Sequence, residues 1–282
     1  MSLRGKTAIV GIGEVPTRRE YPGRTTASLM TEASAMALAD AGIRKEDVDG
    51  LICNAEAIHP NTLCEYMQLQ PSFSEGTAMH GASGAMSIAL AAAAIDAGLA
   101  NTVLCVLGGT RTPPPAERGG GPVSAASEWE SPFGPGQGAP GRYALLKQRY
   151  MHEYGKRDEA FAKVAVDQRF NALTNPNSVF QGQPITSEDV LSSRFINTPL
   201  HLLECVMPCS GAAAAIVTSA ERAPSFPNPP VYVLGAGAGA SDHDVMWQDL
   251  RMTTSPVART APRAFAMAGY SPKDMEFAEF YD

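Results

Sequence analysis

The chain has 282 residues, 44% hydrophobic and 18% charged, a globular balance with enough apolar mass for a sizeable core. Its net charge of −7, with no dense Lys/Arg tract, argues against nucleic acid or an anionic membrane as the main partner. Five cysteines (Cys53, Cys64, Cys105, Cys205, Cys209) are an odd number, and four sit in or near apolar runs, which points to reduced intracellular thiols rather than a disulfide framework. No His stands at zinc-ligand spacing, so no metal site is expected. Neither a signal peptide nor a membrane span is visible, which predicts a cytoplasmic protein.

The apolar run 7–13 ends in glycines and reads as a buried strand followed by a turn. Gly11 and Gly13 do not make a dinucleotide fingerprint, because a third glycine and an immediate helix are missing. Thr25 and Thr26 open a helix that runs to Ala41, with Gly42 as its stop. A turn through Asp47 and Gly50 leads to a strand over 51–55.

Residues 76–98 form a short extended piece, a bend over 80–84, and a helix apolar on nearly every side. Such a helix is expected to be interior. Its first backbone N–H groups carry partial positive charge, so the bend at His80, Gly81, Ala82, Ser83 and Gly84 suits an anion or a developing oxyanion. A further apolar strand follows over 102–108. This order of elements predicts an α/β fold whose largely parallel sheet is covered on both faces.

From 110 to 141, clustered prolines and glycines forbid regular structure over much of the span, which reads as a surface insertion. Amphipathic helices are expected over 142–154 and 158–173. Their charges, among them Lys147, Arg149, Lys156, Arg157, Lys163 and Arg169, read as a solvated face. Thr186 to Asp189 has the pattern of a helix start. The small-residue run 212–219 reads as an interior strand.

At Val231 the N-terminal pattern begins again. Residues 268–276 match residues 41–49 without a gap: Ala-Gly, a five-residue step, Asp, an apolar residue and an acid. A repeat of this length implies duplicated βαβ-type halves, of which the second stops at Tyr281-Asp282. The expected division is 1–225, carrying an insertion over 110–200, and 226–282, an incomplete second half.

These duplicated halves, the Gly81-Ala82-Ser83-Gly84 bend entering an apolar helix, the proline-rich insertion and the Ser210 to Ala214 strand together resemble the thiolase superfamily. The likeness is greatest to its bacterial lipid-transfer-protein and sterol-carrier-protein-X branch, and covers essentially the whole chain. It implies the layered α-β-α-β-α thiolase fold, a homodimer, and a coenzyme A thioester as substrate or ligand with no covalently bound cofactor. In thiolases a cysteine opens the bend and accepts the acyl group. The matching residue here is Gly81, which has no side chain to acylate.

Two functions from different classes then stand side by side. One is cleavage of a carbon–carbon bond in a CoA thioester by retro-aldol chemistry without a covalent intermediate. In it the N–H groups of Gly81 to Gly84 would stabilise the enolate and the Tyr281 phenol would move a proton. Branch members of this kind work with a small zinc-ribbon and OB-fold partner protein. The other is a non-catalytic acyl-CoA, lipid or steroid-CoA binder or scaffold subunit. His80 reads either as a loop histidine or as a proton shuttle. Cys205, Cys209 and Asp282 are candidate pocket residues.

Overall fold

A computed structural model of the protein describes residues 2–110, 138–240 and 251–280. The expected irregular insertion falls mostly outside the described residues, as do Tyr281 and Asp282. The chain divides into two compact units: Met1–Arg111, Cys209–Ala238 and Arg259–Asp282 make one, and Thr112–Pro208 with Gly239–Ala258 the other.

The first unit is built on six strands: β1 (Thr7–Arg18), β2 (Gly50–Asn54), β3 (Phe73–Thr77), β4 (Thr102–Gly109), β7 (Ser210–Ser219) and β8 (Val231–Tyr232). They form one sheet of order β3-β2-β4-β7-β1-β8. β3, β2 and β4 pair in parallel, while β7 lies antiparallel between β4 and β1, and β8 pairs antiparallel with β1. The expectation of a largely parallel sheet is therefore corrected to a mixed one. Helical crossovers make β2, β3 and β4 parallel, but β7 returns from the second unit and enters the sheet in the opposite direction.

Helices lie on both faces of the sheet, but the expected cover is incomplete: on β1 the side chains of Ile12 and Glu14 are exposed, Ile12 at 65%. Helix α1 (Thr26–Ala41) and helix α2 (Pro60–Met67) pack on one face, around Leu29, Met30, Leu51, Leu63, Leu104 and Ile216. Helix α3 (Ser83–Asp96) packs on the other, where Ala91 joins Ile52, Val103, Cys105 and Val217. Each such fully buried Leu, Ile or Val contributes roughly 1.5–3 kcal/mol. The α-β-α part of the expected layering is thus formed. Helix α3 is less enclosed than its sequence suggests: Ser83, Ser87, Ala91, Ala92 and Ala94 are buried, but Ala85 and Ala93 are exposed and Met86, Ile88 and Leu90 are partly so. Apolar character on every side required a partner all round, and the described residues supply one face of it.

Local signals explain the helix ends. The Thr25 side chain accepts from the Ser28 N–H in a capping box, and Gly42 closes α1 in the left-handed region at φ 67°. The repeat read in the sequence is repeated in packing. Helix α1 crosses β1 at Gly11 and Gly13, and helix α7 (Val257–Ala268) crosses the chain at Gly235 and Gly237. Gly269 closes that second helix at φ 71°, and the Asp274 carboxylate accepts from the Ser271 N–H as Asp47 does from Arg44.

The second unit contains α4 (Gly138–Tyr154), α5 (Asp158–Ala172), α6 (Ser187–Ser192) and a two-stranded hairpin of β5 (Phe195–Asn197) and β6 (Leu200–His201). Thr186 caps α6 as its sequence predicts. Lys147 departs from expectation. Arg149, Lys156 and Lys163 are solvated, but Lys147 is buried against Glu204 at 2.5 Å, with its ammonium 4.8 Å from the centre of the Phe161 ring. A helical charge pattern cannot show which of several lysines meets a carboxylate 57 residues away.

Candidate functional site

The strand registers bring one end of the sheet together. Asn54 at the end of β2 stands beside Thr77 at the end of β3, and Gly109 at the end of β4 beside Gly211. In α/β sheets, ligands bind at these carboxyl ends. Here a shallow open depression of about 390 Å³ is lined by Glu14, Val15, Thr17, residues 107–110 and residues 209–213. Its floor is made close by small residues: a Cβ on Gly108 would stand 2.6 Å from the Ala212 Cβ. Asn54 braces this strand end, its amide donating to the Gly108 carbonyl and accepting from the Gly108 N–H.

At the same end of the sheet, the chain leaves β3 and turns into α3 through a single 3-10 turn, His80–Ala82. No side chain caps α3 at Ala82; instead the buried Ser83 hydroxyl accepts from the Met79 N–H at 3.0 Å. The Ala82 N–H donates to the Met79 carbonyl and the Ser83 N–H to the His80 carbonyl. The Gly81 N–H has no acceptor among the described residues, so of these three amides it is the one left for an anionic oxygen. A Cβ on Gly84 would meet nothing within 4 Å, so the start of α3 is open.

His80 carries a nearly fully exposed imidazole and has φ +48°. Its Nδ1 lies 2.8 Å from Glu56 Oε1, which also accepts from the His80 backbone N–H. The sequence offered one signal for Glu56: it follows a strand end. Its partner, 24 residues away, is fixed only by the pairing of β2 with β3.

The cysteines are spread over both units, and none is in a disulfide. Burial pushes the Cys105 thiol up to about 12 and Cys53 to about 11, and raises Cys64. Cys205, in the second unit, is raised by burial and by the neighbouring Glu204 charge, and donates to the His201 carbonyl. Raised thiols stay protonated near neutral pH and are poor nucleophiles. Cys209 lines the depression of the first unit. Tyr281 and Asp282 lie outside the described residues. Among the described residues no cluster of His, Cys, Asp and Glu could hold a metal ion, and no helix is long and apolar enough to cross a membrane.

The chain matches no family model. It is 34% identical to the steroid side-chain-cleaving aldolase of Thermomonospora curvata, over 99% of this chain and 75% of that protein. It is 32% identical to an acetyl-CoA acetyltransferase of Methanocaldococcus jannaschii, over 98% of this chain and 72% of the relative. Among solved structures, an Ltp2-ChsH2(DUF35) aldolase superposes with a TM-score of 0.87 at 33% identity, covering 96% of this chain and 72% of that one.

Proposed function

Since the chain belongs to the thiolase superfamily, in the branch that includes a steroid side-chain-cleaving aldolase, we propose that it cleaves a carbon–carbon bond in a CoA thioester by retro-aldol chemistry, without an acyl-enzyme. The observation that carries this reading is Gly81, which stands at the entry to α3 where thiolases hold their nucleophile. The raised thiols of Cys53, Cys64, Cys105 and Cys205 support it, since none is poised to take over.

In the proposed reaction a base removes the proton of the substrate's β-hydroxyl. The oxygen's electrons form the new carbonyl as the Cα–Cβ bond breaks, and that bond's electron pair moves into the thioester as an enolate. The Gly81 amide, which the bend leaves without an acceptor among the described residues, stabilises the enolate oxygen. A proton returned to Cα then gives a shortened acyl-CoA and a free ketone or aldehyde. His80 and Tyr281 are the groups assigned to move these protons. Glu14, Cys209 and the small residues of β7 would bound the acyl portion, with Asp282 as a further pocket candidate.

The same reading includes a homodimer in the cytoplasm, and a partner subunit of the zinc-ribbon and OB-fold kind. It also divides the chain into duplicated halves, 1–225 and 226–282. The superposed Ltp2-ChsH2(DUF35) aldolase carries two component names, which supports the partner.

The test is turnover of a β-hydroxyacyl-CoA with and without such a partner, followed by release of the carbonyl product. Tyr281→Phe is expected to lower turnover by about 10²-fold or more, as for loss of a general acid or base, while CoA-ester binding is kept. Binding without turnover under both conditions would leave a non-catalytic acyl-CoA binder as the function. Unchanged turnover in Tyr281→Phe would remove the phenol from the mechanism.

A further inference from the structure

Among the described residues two non-glycine residues have positive φ, Gln68 at 56° and His80 at 48°. Gln68 has an ordinary reason: it closes α2 in the left-handed region, its N–H donating to the Cys64 and Glu65 carbonyls. His80 closes no helix. It stands at the 3-10 turn that enters α3, in a conformation unfavourable for any residue with a Cβ. The surroundings must hold it there.

Glu56 supplies that hold at two points. Its Oε1 accepts from the His80 N–H at 3.3 Å and lies 2.8 Å from the ring Nδ1. Glu56 is itself fixed by the sheet: the Ala55 N–H donates to the Thr77 carbonyl, and the Ala57 and Ile58 N–H groups both donate to the Asn54 carbonyl. The pairing of β2 with β3 therefore carries the carboxylate to the bend. A neutral imidazole beside a carboxylate donates through Nδ1–H, which leaves the lone pair on Nε2. The exposures differ in the same sense, 93% for the His80 side chain and 34% for that of Glu56.

We propose that Glu56 is the positioning residue for His80, fixing both the strained bend and the tautomer that makes Nε2 the proton acceptor for the substrate's β-hydroxyl. This assignment rests on the retro-aldol reading above. Nε2 takes the hydroxyl proton as the Cα–Cβ bond breaks and its electrons enter the thioester enolate. The resulting imidazolium is stabilised by the Glu56 carboxylate and gives up its proton when Cα is protonated. Glu56 itself touches no reacting atom.

Two measurements on the full chain test this. Long-range ¹H–¹⁵N spectra at a pH where His80 is neutral are expected to show the Nδ1–H tautomer in the wild type and a majority of the Nε2–H tautomer in Glu56→Ala. A wild-type ring already in the Nε2–H form overturns the proposal. In turnover of a β-hydroxyacyl-CoA, Glu56→Ala is expected to lower kcat about 10-fold or more with KM unchanged, Glu56→Gln to restore part of it through its amide oxygen, and His80→Gly to lower kcat about 100-fold. Glycine accepts φ +48° without strain, so His80→Gly keeps the bend, and added imidazole should recover part of its activity. A wild type that cleaves β-hydroxyacyl-CoA with Glu56→Ala fully active sinks this assignment and leaves the cleavage reading standing. A wild type inactive both alone and with the zinc-ribbon and OB-fold partner subunit sinks the cleavage reading and the catalytic role with it, while the tautomer still reports whether Glu56 positions the ring.

Discussion

Gly235 lies directly against the backbone of Ala264: a Cβ built on it would come within 2.3 Å of the Ala264 carbonyl oxygen. Gly13 makes the same approach in the first copy of the repeat, 2.2 Å from the Ala33 carbonyl oxygen. Neither neighbour is a flexible side chain, so the helix must move away from the backbone it crosses, β1 at Gly13 and the segment after β8 at Gly235, to admit a methyl group. Gly13→Ala and Gly235→Ala are each expected to destabilise by about 1–3 kcal/mol, the cost of overpacking. Gly84→Ala, with open space around its Cβ and a helical backbone, should instead gain about 0.5–1 kcal/mol. Urea denaturation of the three variants separates these outcomes, and equal midpoints for all three would refute the close packing.

Lys147 and Glu204 form an ion pair whose side chains are almost fully buried, and Glu204 also accepts from the His201 N–H at 2.7 Å. Removing the ammonium alone leaves a buried carboxylate without its counter-charge. Lys147→Met is therefore expected to cost about 3–5 kcal/mol, and the double change Lys147→Met with Glu204→Gln distinctly less. Limited proteolysis within 138–208 gives a local readout of the same difference. Equal losses in the single and double variants would mean that the packing of the lysine stem, and not the charge, dominates.

Asp49 ties the starts of neighbouring strands. Its carboxylate accepts from the Asn101 and Thr102 N–H groups at 2.8 Å and from the Asn101 side-chain amide at 2.7 Å, just before β2 and β4. Burial raises its pKa, but the Thr102 and Asn101 donors outweigh it, and the net direction is downward. A carboxyl lowered in the folded state stabilises fully above its unfolded value of about 3.9, and that contribution is lost as pH falls through the folded-state value. Asp49→Asn should cost about 1–3 kcal/mol at pH 7. It should also flatten the acid limb of the stability profile below about pH 4. An acid limb as steep as in the wild type would show that other carboxylates govern it.

Gly81→Cys places a thiol at the entry to α3, where the helix terminus favours the thiolate. Gly81 is not among the residues of positive φ, so a side chain there brings no left-handed strain. The variant is expected to be alkylated by iodoacetamide near neutral pH faster than Cys53 and Cys105, whose thiols are held up at about 11 and about 12. It should also retain an acyl group from acyl-CoA, detectable by mass. Alkylation at residue 81 no faster than at the buried thiols would argue against an anion-favouring bend.

Much of the fold was legible because its signals are local. Thr25 and Gly42 mark the ends of α1, Thr186 the start of α6, and the apolar runs mark β2, β4 and β7; β1 was legible only to Gly13, where a turn was expected and the strand instead runs on to Arg18, paired with β7. Helix α2, with its N-cap at His59, was not anticipated, since eight residues give too few turns for a clear period. The candidate site was half legible. Gly81 and the bend stand in the sequence as a broken pattern, while Glu56, Asn54 and Gly108 are ordinary residues at strand ends, and nothing near them in the chain names their partners.

The sequence alone determined the glycine–alanine repeat, the apolar helix behind the bend and the lack of a thiol at residue 81, because each is a property of residue type and spacing. Tertiary structure decided what depends on register between distant segments. It turned β7 antiparallel between β4 and β1, buried Lys147 on Glu204, and brought Glu56 to His80. Local periodicity fixes which face of an element is apolar. Which residues then meet across those faces follows from strand pairing and helix crossing, where a shift of one residue exchanges one set of partners for another.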